Sequence, residues 1–337
     1  MELEELTERL GPFCGARYET DDPHVFDVVK MPGHAGFAYG FRVEVAGRVD
    51  SWFIRLPPPN VNWRGTADVL RQVEVLNALD RTFDANEVPH CSVKWSGDDL
   101  QWFGCPYFVV PWLKGDVLRL GKGEWGRELG ETKLLDLGRQ AMEALAKVHQ
   151  MDPGETPYLG DPVPFVDDVS RWDRFYERAA DPDCLKDVPL VRRKLLDRMP
   201  ENVPVGIFHG DYQTANLFCS PEGQLLALID WELTGVGATL NDVGWMVTFS
   251  DPDAWSAEGG VRPMFLDPDT LLKLYGDVIG APLPDLGWFR ALAAYKFAII
   301  TGFNLGLHRR GKRVDPTWEV TRHSMTTLIN RANELLG

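Results

Sequence analysis

The chain has 337 residues, 44% hydrophobic and 25% charged, which excludes a disordered polypeptide and leaves two globular lobes as the natural organisation. A formal net charge of -15 speaks against non-specific binding to nucleic acid or to an anionic membrane. Its five cysteines are scattered and form no C-x-x-C pair, so no disulfide framework or zinc site follows.

The first residues, Met1-Glu2-Leu3-Glu4-Glu5, are acidic and lack the apolar run of a secretory signal. No apolar stretch approaches the ~18 residues that a membrane span needs. The expectation is a cytoplasmic protein with neither nucleic acid nor membrane as partner, present as a monomer or homodimer.

In chain order, residues 3–10 read as a short acidic helix. Phe41-Arg42-Val43-Glu44-Val45 alternates with the period of a half-buried strand, and Ser51 to Leu56 is a second strand beyond a turn at Gly47. Pro57-Pro58-Pro59 ends it, because proline cannot donate to the ladder. Val69, Val73, Leu76 and Leu79 recur at helical spacing, which predicts a helix over 66–80. The apolar run Tyr107 to Leu113 reads as a buried strand. Further helices are expected over 131–149, 187–198, 287–305 and 318–336, with loop and strand over 205–233. A sheet followed by helices implies an α+β chain in two lobes, 1–112 and 113–337.

The strongest chemical signal is His209-Gly210-Asp211-Tyr212-Gln213-Thr214-Ala215-Asn216. It fits H-x-D-x-x-x-x-N, the frame of a kinase catalytic loop. Phosphoryl transfer needs a carboxylate beside the attacking hydroxyl and an oxygen ligand for magnesium a short loop away. Asp211 and Asn216 offer that pair. Asp230 then closes the apolar run Leu226-Ala227-Leu228-Ile229. A hairpin turning at Pro221-Glu222-Gly223 would bring Asn216 and Asp230 together, as a shared metal requires. The bland alternative is a hairpin with a solvated Asp and a turn-forming Asn.

The stretch FHGDYQTANLF, continued by LALIDWELTGVGATLNDVGW, resembles the aminoglycoside phosphotransferase family. It is closest to the subgroup related to the kinase-like domains fused to acyl-CoA dehydrogenases. GCPYFVVPWLKGDVL, ALAKVHQMDP, FIRLPPP and RQVEVLNAL resemble further family segments, so the likeness runs over about 30 to 250. It implies a protein-kinase-like fold, with an N-terminal mixed or antiparallel sheet lobe that binds nucleotide and a larger, mostly helical lobe that carries catalysis. It further implies Asp211 as catalytic base, Asn216 and Asp230 as Mg2+ ligands, and His209 and Asp242 as supports of the loop. His149, at a predicted helix end, is read as structural.

On the nucleotide side the family position of a phosphate-binding Lys is taken by Arg55, which keeps the charge but is not a drop-in replacement. Its partner on the following helix is either Gln72 or Glu74. A phosphate-covering loop would run from Gly33 through Gly36 to Gly40, though its spacing suits an ordinary turn equally well. The adenine would sit against Val110 to Leu113, Trp112 included. Glu232, Trp231, Trp245, Asp251 and Asp253 could line an acidic, aromatic acceptor pocket.

The function expected from these residues is transfer of the γ-phosphoryl group of ATP or GTP to a hydroxyl of a small molecule. The other class is a catalytically silent nucleotide- or ligand-binding module. A protein kinase is disfavoured, since the eleven residues between Asp230 and Asp242 leave little room for an activation loop.

Overall fold

The structure, a computed structural model, describes residues 1–31, 37–59, 61–259 and 263–337. The first helix, α1 (Leu3–Tyr18), runs a further two turns beyond the expected acidic segment, because Leu6, Leu10, Phe13 and Cys14 bury one face along its length.

The strands β1 (His24–Lys30), β2 (Ala38–Val45), β3 (Arg48–Arg55), β4 (Trp95–Gly97) and β5 (Tyr107–Pro111) form one sheet in the order β1-β2-β3-β5-β4. Every pairing in it is antiparallel. Alternation sorts its side chains onto two faces. Tyr39, Phe41, Val43, Trp52, Ile54, Tyr107 and Val109 pack under α1 in a core of their own. Phe53, Phe108 and Val110 point the other way and join the main core of the molecule with α2 (Val69–Thr82). Arg55 lies two residues from Phe53, and Trp112 two from Val110, so both belong to this inner face. Asp68 caps α2 by accepting from the Leu70 N–H at 3.0 Å.

The rest of the chain is mainly helical. After α3 (Leu100–Phe103) come α4 (Gly130–His149), α5 (Phe165–Ser170), α6 (Asp173–Tyr176) and α7 (Val188–Asp197). Then follow α8 (Leu240–Phe249), α9 (Pro268–Ile279), α10 (Gly287–Arg309), α11 (Thr317–Thr321) and α12 (Met325–Leu335). The single helix expected over 318–336 is therefore two, joined by a 3-10 turn at Arg322–Ser324. α10 packs against α8 and α12, and α4 against α9.

Two small sheets sit among these helices. β6 (Asp116–Val117), β8 (Leu217–Cys219) and β9 (Leu225–Leu228) form one, and β7 (Val205–Phe208) pairs with β10 (Gly235–Ala238) in the other. Among the described residues no helix is long and apolar enough to cross a membrane. The five cysteines are free.

Candidate active site

Strand β7 ends at Phe208, and the chain turns sharply at Gly210, whose φ of +89° lies in the left-handed region. A Cβ there would collide with the backbone of Leu233, so the close approach also requires glycine. Buried Asp242, near the start of α8, holds this turn. Its Oδ2 accepts from the His209 N–H at 2.6 Å and its Oδ1 from the Gly210 N–H at 2.8 Å. His149, at the end of α4, completes the support: Nε2 lies 3.2 Å from Asp242 Oδ2 and Nδ1 2.8 Å from the Tyr275 hydroxyl. Burial by itself would raise the Asp242 carboxyl, but the hydrogen bond and charge from His149, with the backbone donors, hold it below its ordinary value.

The His209 ring then joins the two chemical segments. Its Nε2–H donates to the Ile229 carbonyl at 2.9 Å, while Nδ1 accepts from the Asp211 N–H at 3.3 Å. Both bonds together select the neutral Nε2–H tautomer. His209 and Asp242 thus occupy the supporting positions expected of them.

Asp211 is immobilised on both oxygens. Oδ1 accepts from the Trp245 indole N–H and from the Gln213 amide, each at 2.8 Å. Oδ2 accepts from the Asn216 amide at 3.0 Å, and the same Asn216 nitrogen also donates to the Asp211 carbonyl at 2.8 Å. Trp245 and Asp242 are three residues apart on α8, so one helix face supplies both contacts to the loop. Burial pushes the Asp211 carboxyl upward and the Asp230 carboxylate adds to that. The His209 ring and the Trp245 and Gln213 donors work in the other direction.

The expected hairpin is present as β8 and β9, with Leu217 opposite Leu228. Beyond it the Ile229 N–H donates to the Asn216 carbonyl at 3.1 Å, which places Asp230 beside Asn216. Asp230 adopts a left-handed backbone, φ 63° and ψ 60°, and opens the turn Trp231–Leu233. Its Oδ1 is buried with no hydrogen-bond partner. Because the Asn216 nitrogen is committed to Asp211, that amide presents its oxygen elsewhere. A carboxylate oxygen without a hydrogen bond, next to an amide whose nitrogen is already committed, is a donor set that suits Mg2+, which takes few protein ligands and keeps waters and phosphates for the rest. Among the described residues no group of three His, Cys, Asp or Glu side chains is placed to hold a metal.

Arg55 reaches this site from β3. Its Nη2 lies 2.8 Å from Glu232 Oε2 and 3.5 Å from Asp230 Oδ1. The partner expected on α2 is therefore not used. Gln72 is buried, and Glu74 accepts from the Tyr158 N–H at 3.4 Å instead. The physical reason is charge: an Arg facing two carboxylates gains more than one facing a neutral amide. Glu232, only partly screened, is pushed up to about 7, first by burial, then by Asp230 and Asp211, with Arg55 opposing them.

Trp112 follows β5, its N–H donating to the Ser51 carbonyl at 3.0 Å. Its ring lies against Gly40 and under Arg42 of β2. Gly33 and Gly36 lie outside the described residues. Of the residues suggested for an acidic acceptor pocket, Trp231 is buried with its ring against His209. Asp251 is buried and neutralised by Arg290 at 2.7 Å and Arg331 at 2.8 Å. That pocket therefore does not form as expected. Lys296, not among the residues singled out from the sequence, lies instead near Trp245; its visible signal is a cation inside the apolar run Ala291–Ile300 of α10.

The model of the phosphotransferase enzyme family matches residues 36–266, and the chain belongs to that family. Acyl-CoA dehydrogenase family member 11 of Gallus gallus is 26% identical over 229 residues, covering 63% of this chain and 28% of that protein. Probable acyl-CoA dehydrogenase IBR3 of Arabidopsis thaliana is 23% identical over 306 residues, covering 81% of this chain and 36% of that protein. The chain thus spans little more than a third of either relative at most.

Among solved structures, a Ralstonia eutropha protein provisionally named an aminoglycoside phosphotransferase superposes with a TM-score of 0.72 at 20% identity, covering 97% of this chain and 98% of that one. The GDP and kanamycin complex of APH(2")-IIia gives a TM-score of 0.61 at 15% identity, over 96% of both chains. These likenesses establish the kinase-like aminoglycoside phosphotransferase fold.

Proposed function

We propose that the protein is a cytoplasmic small-molecule kinase that moves the γ-phosphoryl group of ATP or GTP to a substrate hydroxyl. The observation that carries this reading is the arrangement of Asp211, gripped by Trp245, Gln213 and Asn216, next to Asp230, whose buried Oδ1 makes no hydrogen bond. Residues 1–112 would form the nucleotide lobe and 113–337 the catalytic lobe. Arg55 would bind the phosphates, with Gly33 and Gly36 in the loop above them and Trp112 near the base. Asn216 and Asp230 would hold Mg2+, which when bound neutralises charge on the phosphates. Asp211 would orient the acceptor hydroxyl and take its proton as the new O–P bond forms and the nucleoside diphosphate leaves.

Mass spectrometry of a hydroxylated-metabolite and antibiotic panel incubated with ATP, GTP and Mg2+ tests this. A phosphorylated product that disappears with Asp211→Asn supports it. Nucleotide binding with no product from any acceptor supports the second reading, a silent module. The pairing of Arg55 with Glu232 and Asp230 rather than with a helix glutamate is what favours that second reading.

A further inference from the structure

Lys296 interrupts the apolar stretch of α10 between Tyr295 and Phe297. It is 9% exposed, and its Nζ has no hydrogen bond to any described residue; the carboxylate in ion-pair reach, Asp168 Oδ1, is 3.8 Å away, and Asp242 and Asp211 act on it from farther off. That carboxylate is shared. Arg171 Nη2 lies 2.6 Å from the same oxygen, and the Asn241 amide donates to the other at 3.0 Å. Two cations share one anion, and Lys296 is the one left short. An ammonium buried without hydrogen bonds is expensive unless something completes its shell. Burial accordingly holds its pKa below the ordinary lysine value.

The surroundings point to what completes it. Nζ lies 5.7 Å from the ring centres of both Trp172 and Trp245. Trp245 in turn donates its indole N–H to Asp211. The ammonium is thus one indole away from the candidate base. Three polar atoms around it, Asp168 Oδ1, Trp172 Nε1 and Asn241 Oδ1, are buried without hydrogen-bond partners. Trp245 also belongs to a small apolar cluster, separate from the two main cores, in which Phe249 and Ala293 pack with Phe297 and Ile300. On the Trp245 side, the ground beside Asp211 is therefore aromatic and carries a cation.

We propose that Lys296 is the acceptor-recognition residue of this site, receiving an anionic group, a carboxylate or a phosphate monoester, of a hydroxylated substrate whose apolar body lies along Trp172 and Trp245. The proposal rests on the phosphotransferase reading for the role of Asp211. It disfavours a cationic group at that end of the acceptor, which Lys296 and Arg171 would repel.

A matched set of probes tests it on the full chain: 4-(hydroxymethyl)benzoate, the neutral 4-(hydroxymethyl)benzamide, the cationic 4-(hydroxymethyl)benzylamine and 4-(hydroxymethyl)phenyl phosphate. Calorimetry and tryptophan fluorescence read binding to the wild type, Lys296→Met and Lys296→Arg. At least one anionic probe should bind about tenfold or more tighter than the amide, with the amine weakest. The tighter of the two anions identifies the group. Lys296→Met should erase the preference while leaving the amide unchanged, and Lys296→Arg should keep part of it. Equal or undetectable binding of anionic and neutral probes, or a preference that survives Lys296→Met, overturns the proposal. Equal loss of both probes in Lys296→Met assigns the lysine to structure alone and also overturns it. Magnesium-ATP binding and phosphoryl transfer, measured on the same samples, read the kinase assignment separately. An anion preference without any transfer faults that assignment and leaves the Lys296 site standing.

Discussion

The indole nitrogen of Trp245 lies 2.8 Å from Oδ1 of Asp211, so a residue of helix α8 aims the carboxylate proposed to receive the acceptor's proton. A hydrogen bond to a charged group is worth about 1.5–3 kcal/mol, and each 1.4 kcal/mol is about tenfold in rate. Trp245→Phe keeps most of the aromatic packing and loses the donor. Turnover should fall about tenfold or more while the Kd for magnesium-ATP stays the same, as calorimetry and steady-state kinetics on one preparation can check.

Replacing Asp211 itself should act more strongly on the same step. Asp211→Asn keeps the shape but cannot accept a proton, and a positioned base contributes about 10²–10⁴-fold. The expected outcome is a kcat loss of that order with nucleotide affinity within a few-fold of wild type. A parallel loss of affinity and of thermal stability would instead assign Asp211 to the fold.

Arg55 should carry nucleotide affinity rather than chemistry. Arg55→Met removes the cation that faces Glu232 and Asp230, and the Kd for ATP should rise about 10- to 100-fold. Arg55→Lys should recover part of it, since the charge returns without the forked geometry. Fluorescence titration with a labelled nucleotide reads both variants.

Asp242 should show itself in the acid limb of stability. Its folded pKa lies below the ordinary 3.8, so the stability it contributes is present above that value and is lost as pH falls through the folded one. Asp242→Asn exchanges a carboxylate that accepts two backbone N–H groups for an amide, at a cost of about 3 kcal/mol. Denaturant melts between pH 7 and pH 3 should show a less stable variant with a shallower decline below pH 4. An unchanged acid limb would mean that the His209 and Gly210 contacts do not depend on its charge.

The catalytic segment was legible in the sequence because its geometry is local. Asn216 and Asp230 are brought together by one short hairpin, and the apolar run ending at Ile229 marks the strand that leads to it. The antiparallel sheet was legible for a similar reason, since alternation in Phe41–Val45 depends only on the pleat. The partner of Arg55 was not legible, because Glu232 is 177 residues away and the choice between it and Glu74 is made by how the sheet meets the turn after Asp230. The acidic pocket failed because Asp251 is claimed by Arg290 and Arg331, from helices distant in the chain. Lys296 stood in plain view as a cation in an apolar helix. That it shares Asp168 with a second cation emerges only once Arg171 is seen beside the same oxygen.

Calorimetry of ATP binding with and without Mg2+, on the wild type and on Asp230→Ala, tests the account's core most directly. The account predicts tight binding to the wild type only when Mg2+ is present, and loss of that magnesium effect in Asp230→Ala. ATP binding that is indifferent both to Mg2+ and to the aspartate would contradict it.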